Sequence, residues 1–449
     1  MLSRIIFDEE IPSQQVAVIS MAGAATWTAL RQLAHSIYKE CKPLEKRRVG
    51  LSLHAAAESY AALAALDKLE CDVFLLDSRR SEEEIRRLAQ QLRLGAVLQA
   101  RCPASPAKFE VLEYPGEADW SGASSVTVLT SGTTGEPKAA RHTWDTLSQP
   151  VRFDAGIAMP RWLLIYSPHL YAGLQVMLQC FANRGTLVLA DPEISPKALA
   201  EFLRIQGVQF ISATPSFWKR LLFSVESAVL DKVPLVQITL GGEVVEQWVL
   251  SALQEQFPKA RIIHIYATTE LGKCFSVRDG QEGFPPHYLN RISPESAQMK
   301  IVGGELWMRS PNSMKMYDPY SSHRANSEQW FRTGDLVEIK GNRVYFVGRK
   351  SDIINSGGSK VHPLEVERVI REVPGVLDVR VFGKSSSIVG QLVACEIVPS
   401  GEHDPEQLKE SINRICSSRL SSHQQPRLIR IVDRIEFTSA GKTSRTVAI

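Results

Sequence analysis

No run of the chain approaches the roughly 18 apolar residues that a membrane span requires; WLLIY and YAGLQVML, the longest candidates, are short and broken by polar residues or glycine. A spanning segment is therefore not expected. Cysteine is sparse. Seven are scattered at positions 41, 71, 102, 180, 274, 395 and 416, with no CxxC pair and an odd total. That pattern argues against a cysteine-built zinc site or a disulfide framework, and a reduced compartment follows. A dominant charge sign is also missing. Lys and Arg number 52 against 49 Asp and Glu, for a formal charge of +3. Such a balance supplies no concentrated basic field, so a nucleic-acid partner is not expected. The opening MLSRIIFDEEIPSQQ turns acidic too early for a secretory signal, and a cytoplasmic location is the expectation.

What is present is length and layered patterning. At 449 residues, 44% hydrophobic and 22% charged, the chain exceeds what one core usually supports. TWTALRQLAHSIYKECKPL has apolar residues at helical spacing, RRVGLSLH reads as a strand, ESYAALAALDKLE as a helix and CDVFLLD as a strand. SEEEIRRLAQQL follows as a helix with Ser81 as its N-cap. A second alternating series runs from Trp162 to RIIHIYATTE. This order predicts parallel strands joined by crossover helices. From about Gly303, GGELWMRS, WFRTGDLVEIKG and NRVYFVGR read as short antiparallel strands of a small β subdomain. The fold expectation is thus α/β: a large N-terminal domain over 1–350 with layered parallel sheets and that subdomain, then a mobile α+β domain over 351–449. Pro363 suits the first turn of a helix in the latter.

TVLTSGTTGEPKAARH carries the strongest local signal. Gly132 and Gly135 permit a tight turn, Ser131, Thr133 and Thr134 offer hydroxyl donors, and Lys138 places a positive charge opposite an anion. The same residues would also serve a polar surface turn between two strands. Lys138 follows Glu136-Pro137 rather than closing a Gly-Lys-Ser/Thr end, so this is no Walker A loop.

The stretch resembles the phosphate-binding signature of the acyl-adenylate-forming superfamily, the AMP-dependent synthetases and ligases that include aryl- and acyl-CoA synthetases. YATTE at 266–270, WFRTGD at 330–335, GRKSDIINSGGSKVHPLEVE at 348–367 and the terminal Gly441-Lys442 match its further segments in order. The resemblance implies that ATP is held along Thr130–Gly135 and Lys138, with Thr269 on the α-phosphate. Glu270 would hold Mg²⁺ against the triphosphate, as a hard carboxylate suits a hard ion. Asp335 would accept the ribose hydroxyls and Arg349 would contact ribose or phosphates. Gly241, Gly242, Glu243 and His264–Tyr266 would surround adenine, with Tyr266 stacked on it. Each of these has a plain structural alternative: a turn cap for Asp335, a surface ion pair for Arg349, core packing for Tyr266.

Lys442 would stabilise the charge that builds as pyrophosphate leaves. Ser351 falls at the implied hinge, and Ser356-Gly357-Gly358 at the passage for a pantetheine thiol. The two glycines could equally form a turn before the Pro363 helix. The substrate segment departs from the family pattern, reading SPHLYAGL. A pocket from His169, Leu170, Tyr171 and Gly173, with Phe217, Thr239 and Gly241, suits an aryl or medium-size acyl carboxylate. The implied activity is formation of an acyl-AMP followed by transfer to CoA. A phosphopantetheinyl carrier protein is the alternative acceptor, and a non-catalytic ATP-binding regulator the alternative class. A homodimer is compatible with the sequence.

Overall fold

The computed structural model describes residues 1–11, 14–21, 23–100, 109–114, 119–130, 138–153, 156–291, 296–318, 329–386, 389–401 and 404–436. The chain forms two compact units: one of residues 1–281, 292–297 and 309–329, the other of 282–291, 298–308 and 330–449.

The first unit contains two sheets. In the larger, the strands Arg261–Thr268, Gln237–Leu240, Phe210–Ala213, Arg161–Leu164, Thr186–Leu189 and Val16–Ser20 run parallel in that spatial order. Antiparallel edges close it: Gly272–Val277 beside Arg261–Thr268, and Gly23–Thr26 beside Val16–Ser20. The second sheet has Ser125–Thr130, Asp72–Asp77, Arg48–Leu53 and Ala96–Ala100 as its parallel centre. Its edges are again antiparallel, with Lys138–Thr143 pairing Ser125–Thr130. The alternating pattern read from the sequence is this arrangement, since parallel strands need crossover helices.

Local sequence explains the helices. Ser81 accepts a hydrogen bond from the Glu84 amide while Glu84 accepts one from the Ser81 amide, so both ends of a capping box are made. Ala57–Lys68 is apolar almost all round and is buried along most of its length, as a helix without a polar face must be. Next to it Phe181 meets Trp27 and Tyr60 edge-on, with centroids 5.3 and 5.7 Å apart. Truncating Phe181 there would cost about 3–5 kcal/mol in transfer and cavity terms.

The second unit has a four-stranded sheet, Gln298–Val302, Glu305–Arg309, Phe331–Lys340 and Arg343–Arg349. It starts earlier than the sequence pattern suggested, because Gly303-Gly304 is a turn inside the sheet rather than its beginning. Their φ values of +58° and +78° suit a tight two-residue hairpin. The remaining sheet orders Ser359–Val361, Ile354–Ser356, Gly390–Pro399 and Val376–Ser386, with Leu428–Ile431 also on Gly390–Pro399. The helices Pro363–Arg371 and Pro405–Arg419, each with proline in its first turn, pack on that sheet through Val366, Ile370, Leu408 and Ile412.

Candidate active site

In the first unit the strands Ser125–Thr130 and Lys138–Thr143 form the two sides of the glycine-rich loop. Thr130 stands opposite Lys138 at its base, and Thr130 Oγ1 donates to the Lys138 carbonyl at 3.4 Å. Ser131, Gly132, Thr133, Thr134 and Gly135 lie outside the described residues, as does Lys442. The base of the hairpin is tied down by a buried ion pair. Asp72, fully buried on the neighbouring strand, accepts from Arg141 Nη2 at 2.7 Å, Arg141 Nε at 3.3 Å and Ser125 Oγ at 2.6 Å. Removing one partner of such a pair costs about 3–5 kcal/mol.

The next residue, His142, crosses to a different sheet. Its Nε2 lies 2.7 Å from the Thr269 carbonyl, and its ring sits 5.5 Å from that of Tyr171. Burial holds its pKa down to about 4, against a smaller upward effect from the Thr269 carbonyl. The imidazole is therefore neutral near pH 7 and Nε2–H is the donor. Thr269-Glu270-Leu271 is the turn between Arg261–Thr268 and Gly272–Val277, closed by Leu271 N–H donating to Thr268 Oγ1 at 3.1 Å. The Met314 amide donates to the Glu270 carbonyl at 2.8 Å. The backbone carrying both expected phosphate-end residues is thus fixed from two sides.

Gly272, which follows this turn and opens the strand Gly272–Val277, must be glycine. Its φ is +67°, and a Cβ there would lie 2.8 Å from Asn312 and 3.0 Å from the Tyr171 hydroxyl. Tyr266 stacks on Phe275, with centroids 5.3 Å apart and planes within 8°. One face of the ring expected to meet adenine is therefore covered by protein. His264 Nε2 lies 3.0 Å from the Gln281 carbonyl. Gly241 packs against Ile265, and Tyr166 donates to its carbonyl at 3.3 Å. The Glu243 carboxylate accepts from Ser216 N and Oγ at 3.0 and 2.6 Å, which holds the start of the helix Pro215–Ser224.

The substrate segment is compact. His169 is buried, with Nε2 3.8 Å from Asp77 Oδ2, while Arg79 holds Asp77 in a two-pronged pair at 3.0 and 2.8 Å. Burial lowers the His169 pKa and the Asp77 charge opposes it. Leu170 is the N-cap of the helix Tyr171–Ala182. A Cβ at Gly173 would come within 2.3 Å of the Ser167 carbonyl, so this helix can press against the SPHL turn only with glycine there. Phe217 and Thr239 are buried, with Thr239 Oγ1 accepting from Gln237 Nε2 at 3.1 Å.

In the second unit Asp335 and Arg349 face each other across antiparallel strands, and Arg349 Nε donates to Asp335 Oδ1 at 3.0 Å. Thr333 Oγ1 accepts from the Asp335 amide at 3.1 Å and donates to the Leu306 carbonyl at 2.6 Å. Ser351 lies in the short turn Lys350–Asp352, its Oγ donating to Asp352 at 2.8 Å. Gly357 and Gly358, with φ of +58° and +85°, form the two-residue turn between Ile354–Ser356 and Ser359–Val361.

Sequence reasoning gave no role to Asp72 or His142. His142 closes the quoted loop motif, yet its partner is 127 positions away, so no local spacing could reveal it.

The family profile of AMP-binding enzymes matches residues 114–318, and that of the AMP-binding enzyme C-terminal domain matches 365–442. A 2-succinylbenzoate–CoA ligase of Listeria monocytogenes serotype 4b is 27% identical over 341 residues, covering 73% of this chain and 70% of that protein. Among solved structures, a benzoate CoA ligase from Burkholderia xenovorans LB400 aligns with a TM-score of 0.78 at 18% identity, over 99% of this chain and 98% of that one. The O-succinylbenzoate coenzyme A synthetase from Bacillus subtilis, in complex with ATP and magnesium ion, aligns at 0.69 and 21% identity, over 96% of each chain. At these identities the two structures establish the shared fold.

Proposed function

The chain belongs to the AMP-binding enzyme family, and from that membership we propose that it activates an aryl or medium-size acyl carboxylate with ATP and passes the acyl group to CoA. The observation that carries the reading is the His142–Thr269 link, which joins the flank of the glycine-rich loop to the Thr269-Glu270 turn within one unit. The far end of the strand that leaves the glycine-rich loop thus meets the turn that carries Thr269 and Glu270. The ligase relative and the benzoate ligase fold support CoA as acceptor, and a carrier protein is the second reading, since both thiols end in phosphopantetheine.

In the first half-reaction a carboxylate oxygen bonds to the α-phosphorus of ATP, and the bond from that phosphorus to the bridging oxygen breaks. Pyrophosphate leaves with that oxygen. Thr269 is the proposed donor to the α-phosphate, and its backbone is held by neutral His142. Lys442 is proposed to stabilise charge on the transferring group. Thr130–Gly135 and Lys138 would hold the phosphates, and Asp335, oriented by Arg349 and Thr333, would take the ribose hydroxyls. Gly241, Gly242, His264 and Tyr266 are the proposed adenine surroundings. Glu243 fits that role through its backbone rather than its carboxylate, part of which is committed to Ser216.

Glu270 fits a magnesium ion held by one carboxylate and substrate phosphates, and it stands on a turn fixed by the Met314 amide. When bound, the ion neutralises charge on the phosphates. In the second half-reaction the thiolate sulfur bonds to the acyl carbon and AMP leaves with the shared oxygen. We place the pivot between the two steps at Ser351, at the boundary of 1–350 and 351–449, and the thiol's approach along Ser356–Gly358.

The test is exchange of labelled pyrophosphate into ATP across a panel of aryl and C6–C12 acids with magnesium present. Acid-dependent exchange, with the acyl-AMP seen by mass and acyl-CoA formed on adding CoA, is expected. Nucleotide binding without exchange for any acid would instead favour the regulator reading.

A further inference from the structure

The strands Glu305–Arg309 and Phe331–Lys340 pair at Trp307 with Arg332 and again at Glu305 with Leu336. Between those two rungs the first strand has only Leu306, while the second has Thr333, Gly334 and Asp335. The segment that carries the proposed ribose acceptor therefore bulges out of this ladder. Its backbone groups need partners other than strand bonds on that side.

The partners are side chains. The Gly334 amide donates to Glu305 Oε1 at 3.2 Å, and the Asp335 amide donates to Thr333 Oγ1 at 3.1 Å. Thr333 Oγ1 in turn donates to the Leu306 carbonyl at 2.6 Å, which ties the bulge to the strand opposite. Gly334 has a φ of +74°, where glycine is at ease and other residues are not. Glycine gives the bulge its shape and also leaves its backbone the most freedom, so an external tie is needed to fix it. Glu305 supplies that tie. It is 6% exposed although it directly follows the turn Gly303-Gly304, and its Oε2 accepts from Arg332 Nη2 at 3.2 Å. Burying a carboxylate is costly unless its hydrogen bonds are made, and here both oxygens bond to the bulged strand.

We propose that Glu305 is a positioning residue for the nucleotide: by holding the Gly334 amide it sets the main chain of Asp335, so that the Asp335 carboxylate meets the ribose hydroxyls of ATP. This rests on the reading of Asp335 as the ribose acceptor. Arg349 orients the same carboxylate from the strand on the other side, at 3.0 Å. Glu305 acts through the backbone alone and touches neither nucleotide nor acid.

The experiment measures binding of ATP and of 2′,3′-dideoxy-ATP to the full chain by calorimetry, with magnesium and without acid. Hydrogen bonds from the ribose to a charged group should make the parent prefer ATP by about tenfold or more. Glu305→Gln and Glu305→Met both remove the charge at similar length, and only the first leaves an acceptor for Gly334. Glu305→Gln should keep the preference within about threefold of the parent, whereas Glu305→Met should bring the two nucleotides within about threefold of each other. Glu305→Asp keeps the charge but withdraws the acceptor by one methylene. It should lose most of the preference, and it decides the matter should Glu305→Met not fold. Arg332→Met, which breaks the ion pair and spares the Gly334 bond, should keep the preference. Asp335→Ala should erase it, and adding Glu305→Met to that variant should take nothing further. A folded Glu305→Met with the parent's preference overturns the proposal. So does equal weakening of both nucleotides, which a merely structural glutamate would give. If the parent shows no preference, or Asp335→Ala keeps it, the ribose reading of Asp335 fails and the role of Glu305 falls with it. If nucleotides bind but no acid supports pyrophosphate exchange, adenylation alone fails, and the nucleotide comparison still decides Glu305.

Discussion

The imidazole of His142 and the carbonyl of Thr269 meet at 2.7 Å, joining the hairpin beside the glycine-rich loop to the turn that carries Glu270. Because burial keeps the ring neutral, this is a hydrogen bond between uncharged groups, and its loss leaves a carbonyl unsatisfied. Such a loss costs about 1–3 kcal/mol. His142→Ala should therefore lower kcat for pyrophosphate exchange by roughly 10- to 100-fold, since about 1.4 kcal/mol is tenfold, with a smaller change in KM for the acid. His142→Gln, which keeps an N–H donor, should recover part of kcat. A purely structural histidine would lower melting temperature in both variants and leave kcat of the folded fraction unchanged.

The same residue fixes a pH dependence. Its folded pKa of about 4 lies below the ordinary 6.5, so on acidification the unfolded chain binds the proton first. The stability tied to neutral His142 is full above about pH 6.5 and is lost as pH falls through 4, amounting to about 3 kcal/mol at most. Denaturant titrations of parent and His142→Gln should diverge across that window, with the variant showing the shallower fall. Parallel curves would mean that His142 has the same pKa in the native and unfolded states.

The layered fold was legible because hydrophobic runs and caps are local: Ser81 with Glu84 and Pro363 announced their helices. The AMP-binding motifs were legible because they are contiguous. Neither source could show that Asp72 and Arg141 meet across strands, or that Glu243 serves Ser216.

Lys442 lies outside the described residues, and its proposed role separates the two half-reactions. Lys442→Ala should slow pyrophosphate exchange by at least about 100-fold, the loss seen when one preorganised donor to a developing charge is removed. Thioester formation from supplied acyl-AMP should remain within a few-fold of the parent. Exchange within twofold of the parent would remove Lys442 from the mechanism, and loss of both half-reactions would mean that it acts on the fold.

The last prediction separates the two roles open to Gly358, turn residue and passage for the thiol. With φ of +85° and no heavy atom within 4 Å of a Cβ there, substitution strains the backbone without a clash inside the chain. Asparagine tolerates such a φ far better than leucine. If the glycine serves the turn alone, Gly358→Asn should behave as the parent and only Gly358→Leu should lose melting temperature. If pantetheine passes close by, both variants should form acyl-CoA about tenfold or more slowly while pyrophosphate exchange is preserved, because only the thiol step meets the added side chain. Running the assay with CoA and with a phosphopantetheinyl carrier protein also identifies the acceptor. The parent should make acyl-CoA, and selective loading of the carrier would replace CoA in the proposed reaction. Unchanged thioester formation in both variants would remove Ser356–Gly358 from the thiol's path.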